Sequence, residues 1–396
     1  MKELRPVKKI LYLFILLLLM GCSSVEEKKN TLAMEEIERG NYTKAAFLLQ
    51  EAVVINPDYL DGMVNYRNIY PIAVENTKGK LTLYGKNEDY LREASTYEDM
   101  MSLKEGLYNM VPVVHNKLSL SLKIPDYNEI EGLKKDAGVS YYNAGNTFEG
   151  LKLDRYKRRK KYFLYSRGEE LYSAYLDIVE RTSRSLEDAR VFVTFMDVKG
   201  VVGTSVIRKV DGSALPRIKG SVLDDAKLKR IVTFKELSDT EIKNYLNRAG
   251  NLSEKELKSL NTIIRLNVDS FDLRPTRVTQ NYYTRTWTER YYVMENNVKV
   301  AKYRERTYTE IVYEKRNSSS VTISYDMVDL ENGNTIGSGR FEGKSGDRYR
   351  WSVIRGRAPV GVMNGVERDI KSDETIINEA ILRAAEEMGR DVRNNI

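Results

Sequence analysis

The chain has 396 residues, 41% of them apolar, which is enough for two domains with their own hydrophobic cores. Its single cysteine excludes an internal disulfide. With one histidine and no spare thiol, neither a Cys- or His-rich metal site nor a cysteine nucleophile is expected. The 64 basic and 57 acidic residues give a formal charge of +7, a mixed surface that does not match the strongly basic surface of a nucleic-acid-binding protein.

The N-terminus has the three parts of a secretory signal peptide. An apolar run over residues 10–20 is followed by the small residue Gly21 and then by Cys22. The basic residues that precede the run are Lys2, Arg5, Lys8 and Lys9. A membrane-spanning helix needs about 20 apolar residues, so this run is too short for a permanent transmembrane anchor. The order of basic, apolar and small residues predicts cleavage before Cys22.

The sequence Leu19-Met20-Gly21-Cys22 resembles the lipobox of bacterial lipoproteins. The resemblance implies that residues 1–21 are removed and that Cys22 becomes an acylated N-terminus, so that membrane lipid is a partner. More than one acyl chain gives stable anchoring. The protein is then expected in the cell envelope, in the outer membrane facing the periplasm if the organism has two membranes. The alternative is an ordinary cleaved signal peptide in which the cysteine is incidental.

A short tether and a helical domain are predicted next. Residues 22–31 are small and charged, which is typical of a linker between a lipid and a folded domain. Residues 32–187 have a helical pattern. Gly40-Asn41 and Asn56-Pro57 interrupt it and predict a first helix that ends at Arg39 and a second one over residues 42–55.

These two helices resemble one tetratricopeptide repeat. The residues that carry the resemblance, besides the turn and the exit proline, are Leu32, Ala33, Tyr42, Ala45, Leu49 and Ala52. The resemblance implies helix hairpins that stack and present a concave surface to peptides or protein segments. Residues 77–88 are predicted to interrupt the next repeat as a loop. Residues 141–175 suit another helix pair, although no small residue is expected where its two helices approach each other.

Residues 188–396 are predicted to form an α+β domain with an antiparallel sheet. Residues 190–197 alternate as a strand, and residues 277–293 and 298–313 are predicted to form a hairpin. A second hairpin is expected at Asn332-Gly333. Capping boxes, Ser238 with Glu241 and Ser253 with Glu256, predict two short helices. A terminal helix over residues 373–392 has one apolar stripe, which is expected to cover the sheet: Ile377, Ile381, Ala384, Met388 and Val392.

Three segments of this domain are similar to the C-terminal part of envelope lipoproteins. They are residues 323–330, residues 338–343 and Ile376-Ile377-Asn378-Glu379-Ala380. The group includes the curli-secretion lipoprotein and the lipoprotein activators of penicillin-binding proteins. The resemblance implies an α+β domain that binds protein partners, and it supplies no catalytic residue.

Two basic segments are candidate binding sites. Arg158 and Arg159 lie in the densest basic cluster, which is either an exposed helix face or a site for anionic lipid or polymer. Residues 344–357 combine arginine with aromatic residues and are predicted to form a loop. Arg348, Tyr349, Arg350 and Trp351 either bind a partner, as such residues do at hot spots, or fix the loop to the core.

The sequence predicts a lipid-anchored envelope protein that acts as a protein-binding scaffold or assembly factor. Its partners are expected to be envelope proteins, without nucleic acid. No catalytic residue, metal site or cofactor is predicted. Gly343-Lys344-Ser345 has only the end of a phosphate-binding P-loop, because Ser338 stands where the first glycine is needed. The alternative function is a cell-wall or glycan-binding receptor or enzyme at the envelope.

Overall fold

The computed structural model describes residues 24–110, 112–118, 122–200 and 202–396, and the chain divides into two compact units after Ala189. The predicted order, a helical region followed by an α+β region with a terminal helix, is confirmed. Cys22 and the signal peptide lie outside the described residues. In the described parts of the chain, no helix is both long and apolar enough to cross a membrane.

The first unit consists of helices. They are α1 (Val25–Glu38), α2 (Tyr42–Ile55), α3 (Leu60–Lys86), α4 (Tyr90–Tyr108), α5 (Pro112–Leu118), α6 (Tyr127–Asn146), α7 (Arg155–Tyr172) and α8 (Ile178–Ala189). The predicted turn at Gly40-Asn41 is confirmed, and Gly40 has a φ of +77°, which favours glycine. Ala33, Ala45 and Leu49 are fully buried.

Two predicted boundaries in this unit were wrong. The helix α1 begins at Val25, inside the predicted tether, because Ser24 and Glu27 form a capping box that satisfies its first amide groups. The predicted loop over residues 77–88 is mostly the end of α3, since Thr77 is buried and donates its hydroxyl to the carbonyl of Ala73 at 2.8 Å. The hydroxyl of Thr77 is thus satisfied inside the helix by a hydrogen bond to the preceding turn.

The helices α6 and α7 approach each other closely at glycine residues, contrary to the prediction that small residues were missing there. A Cβ atom on Gly138 would lie 3.2 Å from the carbonyl oxygen of Gly168, and one on Gly168 would lie 3.0 Å from that of Gly138. Gly145 similarly faces the ring of the buried Tyr165. The small residues are present, but at spacings that differ from those of the repeat motif.

In the residues that the structure describes, the second unit contains one sheet and five helices. Its elements are β1 (Val191–Phe195), β2 (Lys199–Gly200), α9 (Thr204–Leu223), α10 (Ala226–Ile231), β3 (Val232–Lys235), α11 (Asp239–Asn247), α12 (Glu254–Leu257), β4 (Thr262–Glu295), β5 (Val298–Asp329), β6 (Thr335–Arg355) and α13 (Asp373–Asn395). Both predicted capping boxes are formed, at the starts of α11 and α12. These helices cover an apolar cluster that includes Ile242, Leu260 and Ile263.

The sheet is mixed, with the strand order β3-β1-β4-β5-β6, and β2 also pairs with β4. The prediction of an antiparallel sheet is correct for β4, β5 and β6. It was wrong for β1, β2 and β3, because β1 runs parallel to β3 and to β4, and β2 parallel to β4. The helices α9 and α10 connect β1 to β3, and a crossover of this kind returns the chain in the same direction.

The terminal helix α13 covers one face of the sheet, as predicted. The buried residues of β5 alternate on that face: Val321, Ile323, Tyr325 and Met327. The hydroxyl of Tyr325 donates to Asp391 of α13 at 2.6 Å. The buried stripe of α13 begins at Ile376, whereas Ile377 is only half-buried. The buried face of α13 is wider than the predicted stripe because α13 also packs against α9, where Gly389 faces Ser221.

The strands β4 and β5 are 34 and 32 residues long and form a hairpin that extends past the rest of the sheet. Its turn at Asn296-Asn297 has two positive φ angles, 50° and 65°, as a two-residue hairpin of type I′ requires. The pairing of β5 with β6 ends at Thr309 and Arg355. Beyond that point the hairpin is two-stranded, and its 11 residues per strand reach about 35 Å. We call residues 277–316 together with residues 348–355 the arm.

Candidate functional site

The predicted binding residues at 348–351 lie on β6, within the arm, and not in a loop. Because side chains alternate along a strand, Arg348 and Arg350 lie on one face and Tyr349 and Trp351 on the other. The register continues this division across the arm. Trp351 lies opposite Tyr313, and Arg350 lies opposite Glu314. The arm therefore has two chemically different faces, which we call the aromatic face and the charged face.

The aromatic face contains a ladder of stacked rings. Trp351 stacks on Tyr313 with centroids 5.1 Å apart and planes 10° apart, and on Tyr349 at 6.0 Å and 16°. Aromatic pairs across neighbouring strands stabilise a sheet. Tyr282 lies on the same face, opposite Ile311, and is 61% exposed. The rings thus fix one another while part of the face stays accessible to a partner.

An apolar segment follows β6 and adds to this surface. The amide of Gly365 donates to the carbonyl of Ser352 at 2.7 Å, and the hydroxyl of Tyr349 donates to the carbonyl of Val366 at 2.7 Å. Three apolar side chains near these contacts are nevertheless among the most exposed of the chain: Val360, Met363 and Val366. A segment with several exposed apolar side chains is typical of protein interaction surfaces.

Two of the glutamates on the charged face, Glu314 and Glu289, are each held by three arginines. The carboxylate of Glu314 accepts hydrogen bonds from Arg348 and Arg350, both at 2.6 Å, and lies 3.8 Å from Arg316. Hydrogen bonds from Arg348 and then Arg350 lower the pKa of Glu314. The arginines are more than half exposed, whereas the side chain of Glu314 is 9% exposed. The cluster keeps an excess of positive charge at the surface.

The second cluster lies farther out on the same face, around Glu289. Its partners are Arg304, Arg306 at 3.0 Å and Arg357 at 2.6 Å. Hydrogen bonds from Arg304 and Arg306 lower the pKa of Glu289 to about 2. The indole nitrogen of Trp287 donates to the carbonyl of Arg357 at 2.9 Å. These contacts connect the chain after β6 to the two-stranded part of the hairpin.

We expect the contribution of Glu289 to stability to disappear in acid. Its folded pKa is depressed from 4.5 to about 2, so the stabilisation is fully present above pH 4.5 and is lost as the pH falls toward 2. Urea unfolding of the wild type and of Glu289→Gln should therefore differ at neutral pH, with the wild type more stable. The difference should shrink below pH 4.5. A difference that stays constant down to pH 2 would show that the ion pairs do not stabilise the arm.

The other predicted site residues lie elsewhere. Arg158 and Arg159 are half-buried on α7 in the first unit, a few residues after its cap Asp154. The sequence did not single out Glu289 or Glu314, because most of their arginines come from other parts of the chain. The sequence signal that could have indicated the Glu289 cluster is the spacing of Arg304 and Arg306, which places both side chains on one face of a strand. In the described residues, no group of three or more His, Cys, Asp or Glu side chains could hold a metal ion.

Neither a protein-family model nor a curated protein matches the chain. Among solved structures, it is similar to the crystal structure of a "putative neuraminyllactose-binding hemagglutinin homolog" from Helicobacter pylori. The match covers 51% of this chain and 85% of the other, at 9% identity and a TM-score of 0.27. A likeness of this extent supports no conclusion about fold or function. The described residues themselves define a helical unit and an α+β unit with a long, two-faced arm.

Proposed function

We propose that this protein is a lipid-anchored envelope protein that binds partner proteins through the aromatic face of the arm. The observation that carries the proposal is the continuity of the ring ladder, Tyr313, Trp351 and Tyr349, with the exposed apolar segment at residues 360–366. Large aromatic side chains dominate the energetics of protein interfaces because they bury much area at a small entropic cost. A protein held by Cys22 would present this face to other envelope proteins.

The continuous strand pairing of the arm supports the same function. Residues 277–295 pair continuously with residues 298–316, without a register shift in that stretch. A preorganised surface loses less conformational entropy on binding than a flexible loop does. The arm can therefore hold a partner at a distance from the sheet, which is what a scaffold or assembly factor requires.

The proposal is tested by affinity capture from detergent-solubilised envelope. The tagged wild type is expected to enrich a defined set of envelope proteins, and Cys22→Ala, which cannot be lipidated, is expected to lose membrane partitioning and much of this enrichment. Intact mass should show the loss of residues 1–21 and added acyl mass in the wild type alone. Equal capture by both forms, with both unmodified, would contradict the anchored function.

A further inference from the structure

A cleft of about 720 Å³ opens on the charged face where the arm leaves the sheet. Its volume lies within the range of small-molecule sites, roughly 300 to 1,000 Å³. Four arginines line it, and the other lining residues are Leu273, Pro275, Asn317, Ser318, Gly346 and Asp347. The arginines are Arg274, Arg277, Arg316 and Arg348. We call it the Arg cleft.

A β-bulge makes room for the cleft. Arg274 pairs with Ser318 and Arg277 with Arg316, so two residues of β4 stand opposite a single residue of β5. Pro275 is one of the two, and it has no amide hydrogen for the ladder. On β5 and β6 the lining includes Ser318 and Gly346, which are directly paired and have small side chains or none. The hydrogen-bond ladder is thus interrupted on β4, and the small residues on β5 and β6 leave space above the sheet.

The bulge is held in place from the opposite face of the sheet. The amide and the hydroxyl of Thr276 donate to Asp373 at 3.1 and 2.9 Å. The side-chain amide of Asn317 donates to the same carboxylate at 3.0 Å. Asp373 is in the first turn of α13, so the shape of the cleft depends on a helix that is itself packed on the sheet. The lining arginines therefore project from a fixed backbone.

The cleft keeps a positive charge after its ion pairs are counted. Arg274 is 3.6 Å from Asp272, and Glu314 is shared by Arg316, Arg348 and Arg350. The lining arginines outnumber the carboxylates beside them, and the carboxylate of Asp347 accepts a hydrogen bond from the backbone amide of Lys371 at 2.9 Å. Among the described residues, no carboxylate lies within ion-pair distance of Arg277. The positive charge of the cleft favours an anionic ligand.

We propose that the Arg cleft binds a phosphate monoester. Guanidinium groups bind phosphate through paired, charge-assisted hydrogen bonds, and their planar forks match the spacing of its oxygens. A phosphate monoester is close to doubly charged at neutral pH, so a positively charged cleft attracts it more strongly than a singly charged anion. The monoester is part of either a soluble molecule or a lipid headgroup. The site is on the face opposite the ring ladder and does not depend on the proposed function.

Binding to the full-length protein in nonionic detergent tests the proposal by calorimetry. The two probes are glycerol 3-phosphate and a short-chain phosphatidic acid, which carry the same group on a soluble and on a lipid molecule. We expect saturable binding of at least one probe, weakened about tenfold or more in Arg277→Ala, because a charged hydrogen bond contributes about 1.5 to 3 kcal/mol. A clear preference for glycerol 3-phosphate would indicate a soluble ligand and a clear preference for the lipid a headgroup, while equal affinities would show that the phosphate group alone is recognised.

The matched control is Arg290→Ala, in the two-stranded part of the arm, where the guanidinium lies 5.1 Å from the ring centroid of Tyr292. Its affinity should stay within about twofold of the wild type, since it lies outside the cleft. Melting curves of both variants should match the wild type, because both arginines are exposed. No saturable binding of either probe overturns the proposal. So does binding that Arg277→Ala leaves unchanged, or that both variants weaken equally, as diffuse charge attraction would produce.

Discussion

Replacing Gly343 with alanine is expected to destabilise the second unit by about 3 kcal/mol or more, at the upper end of overpacking effects. A Cβ atom at this position would lie 1.8 Å from the carbonyl oxygen of Ala380 and 2.8 Å from the amide of Ala384. Both atoms belong to the backbone of α13, so no side-chain rotation can relieve the clash. The helix would have to move away from the sheet and expose its buried stripe.

The control for this variant is Gly220→Ala on α9. Nothing lies within 4 Å of a Cβ atom there, and the residue is exposed in a helix. Alanine should therefore stabilise the protein by about 0.5 to 1 kcal/mol through its helix propensity. Urea unfolding followed by circular dichroism measures both variants. A Gly343→Ala variant as stable as the wild type would contradict the close packing of α13 on β6.

Truncating Trp351 to alanine is expected to reduce partner capture by about tenfold or more, because a hot-spot aromatic residue contributes about 2 kcal/mol or more to binding. The ring is stacked between Tyr313 and Tyr349, so its loss also removes the support that orients both tyrosines. The backbone pairing of β6 with β5 does not depend on this side chain. The measurement is quantitative capture of envelope proteins, with the melting temperature recorded alongside.

Tyr283→Ala is the matched control for the aromatic face. Tyr283 lies on β4 next to Tyr282, but its side chain points to the charged face, and it is 44% exposed. Capture by this variant should equal that of the wild type. If both variants lose capture equally, or if Trp351→Ala retains it, the aromatic face is not the partner-binding surface.

The sequence predicted the elements whose signals are local. The turn at Gly40-Asn41, the hairpin at Asn296-Asn297 and the capping box of Ser238 each depend on a few adjacent residues, and each is present in the structure. The terminal helix was predictable from its apolar period. These features are set by backbone sterics and side-chain burial within one segment, so they need no knowledge of the rest of the chain.

Predictions from the sequence were wrong where the structure of a segment depends on contacts with residues far away in the chain. Residues 343–348 contain glycine, serine and charges, which predict a loop, yet they continue β6. The reason is tertiary: Gly343 lets α13 approach the strand, and the Ser345 hydroxyl donates to Glu379 of the same helix at 2.6 Å. Here the small residues that resemble a turn pattern allow α13 to pack closely on β6.

The candidate sites could be predicted only in part. Trp351 and its neighbours were singled out by composition, but their division between two faces required the strand assignment. The two glutamate clusters and the Arg cleft combine residues from β4, β5 and β6, and register alone brings these residues together. Arg277 and Arg348 are 71 positions apart in the chain, and no local pattern connects them.

The most direct test of the partner-binding surface is site-specific photocrosslinking in intact cells. A photoreactive phenylalanine analogue is placed at Tyr282 on the aromatic face and, as a control, at Leu382, an exposed position on α13. We expect a discrete protein adduct from position 282 that is absent from position 382 and is lost when Trp351→Ala is added. No adduct from position 282, or the same adducts from both positions, would contradict it.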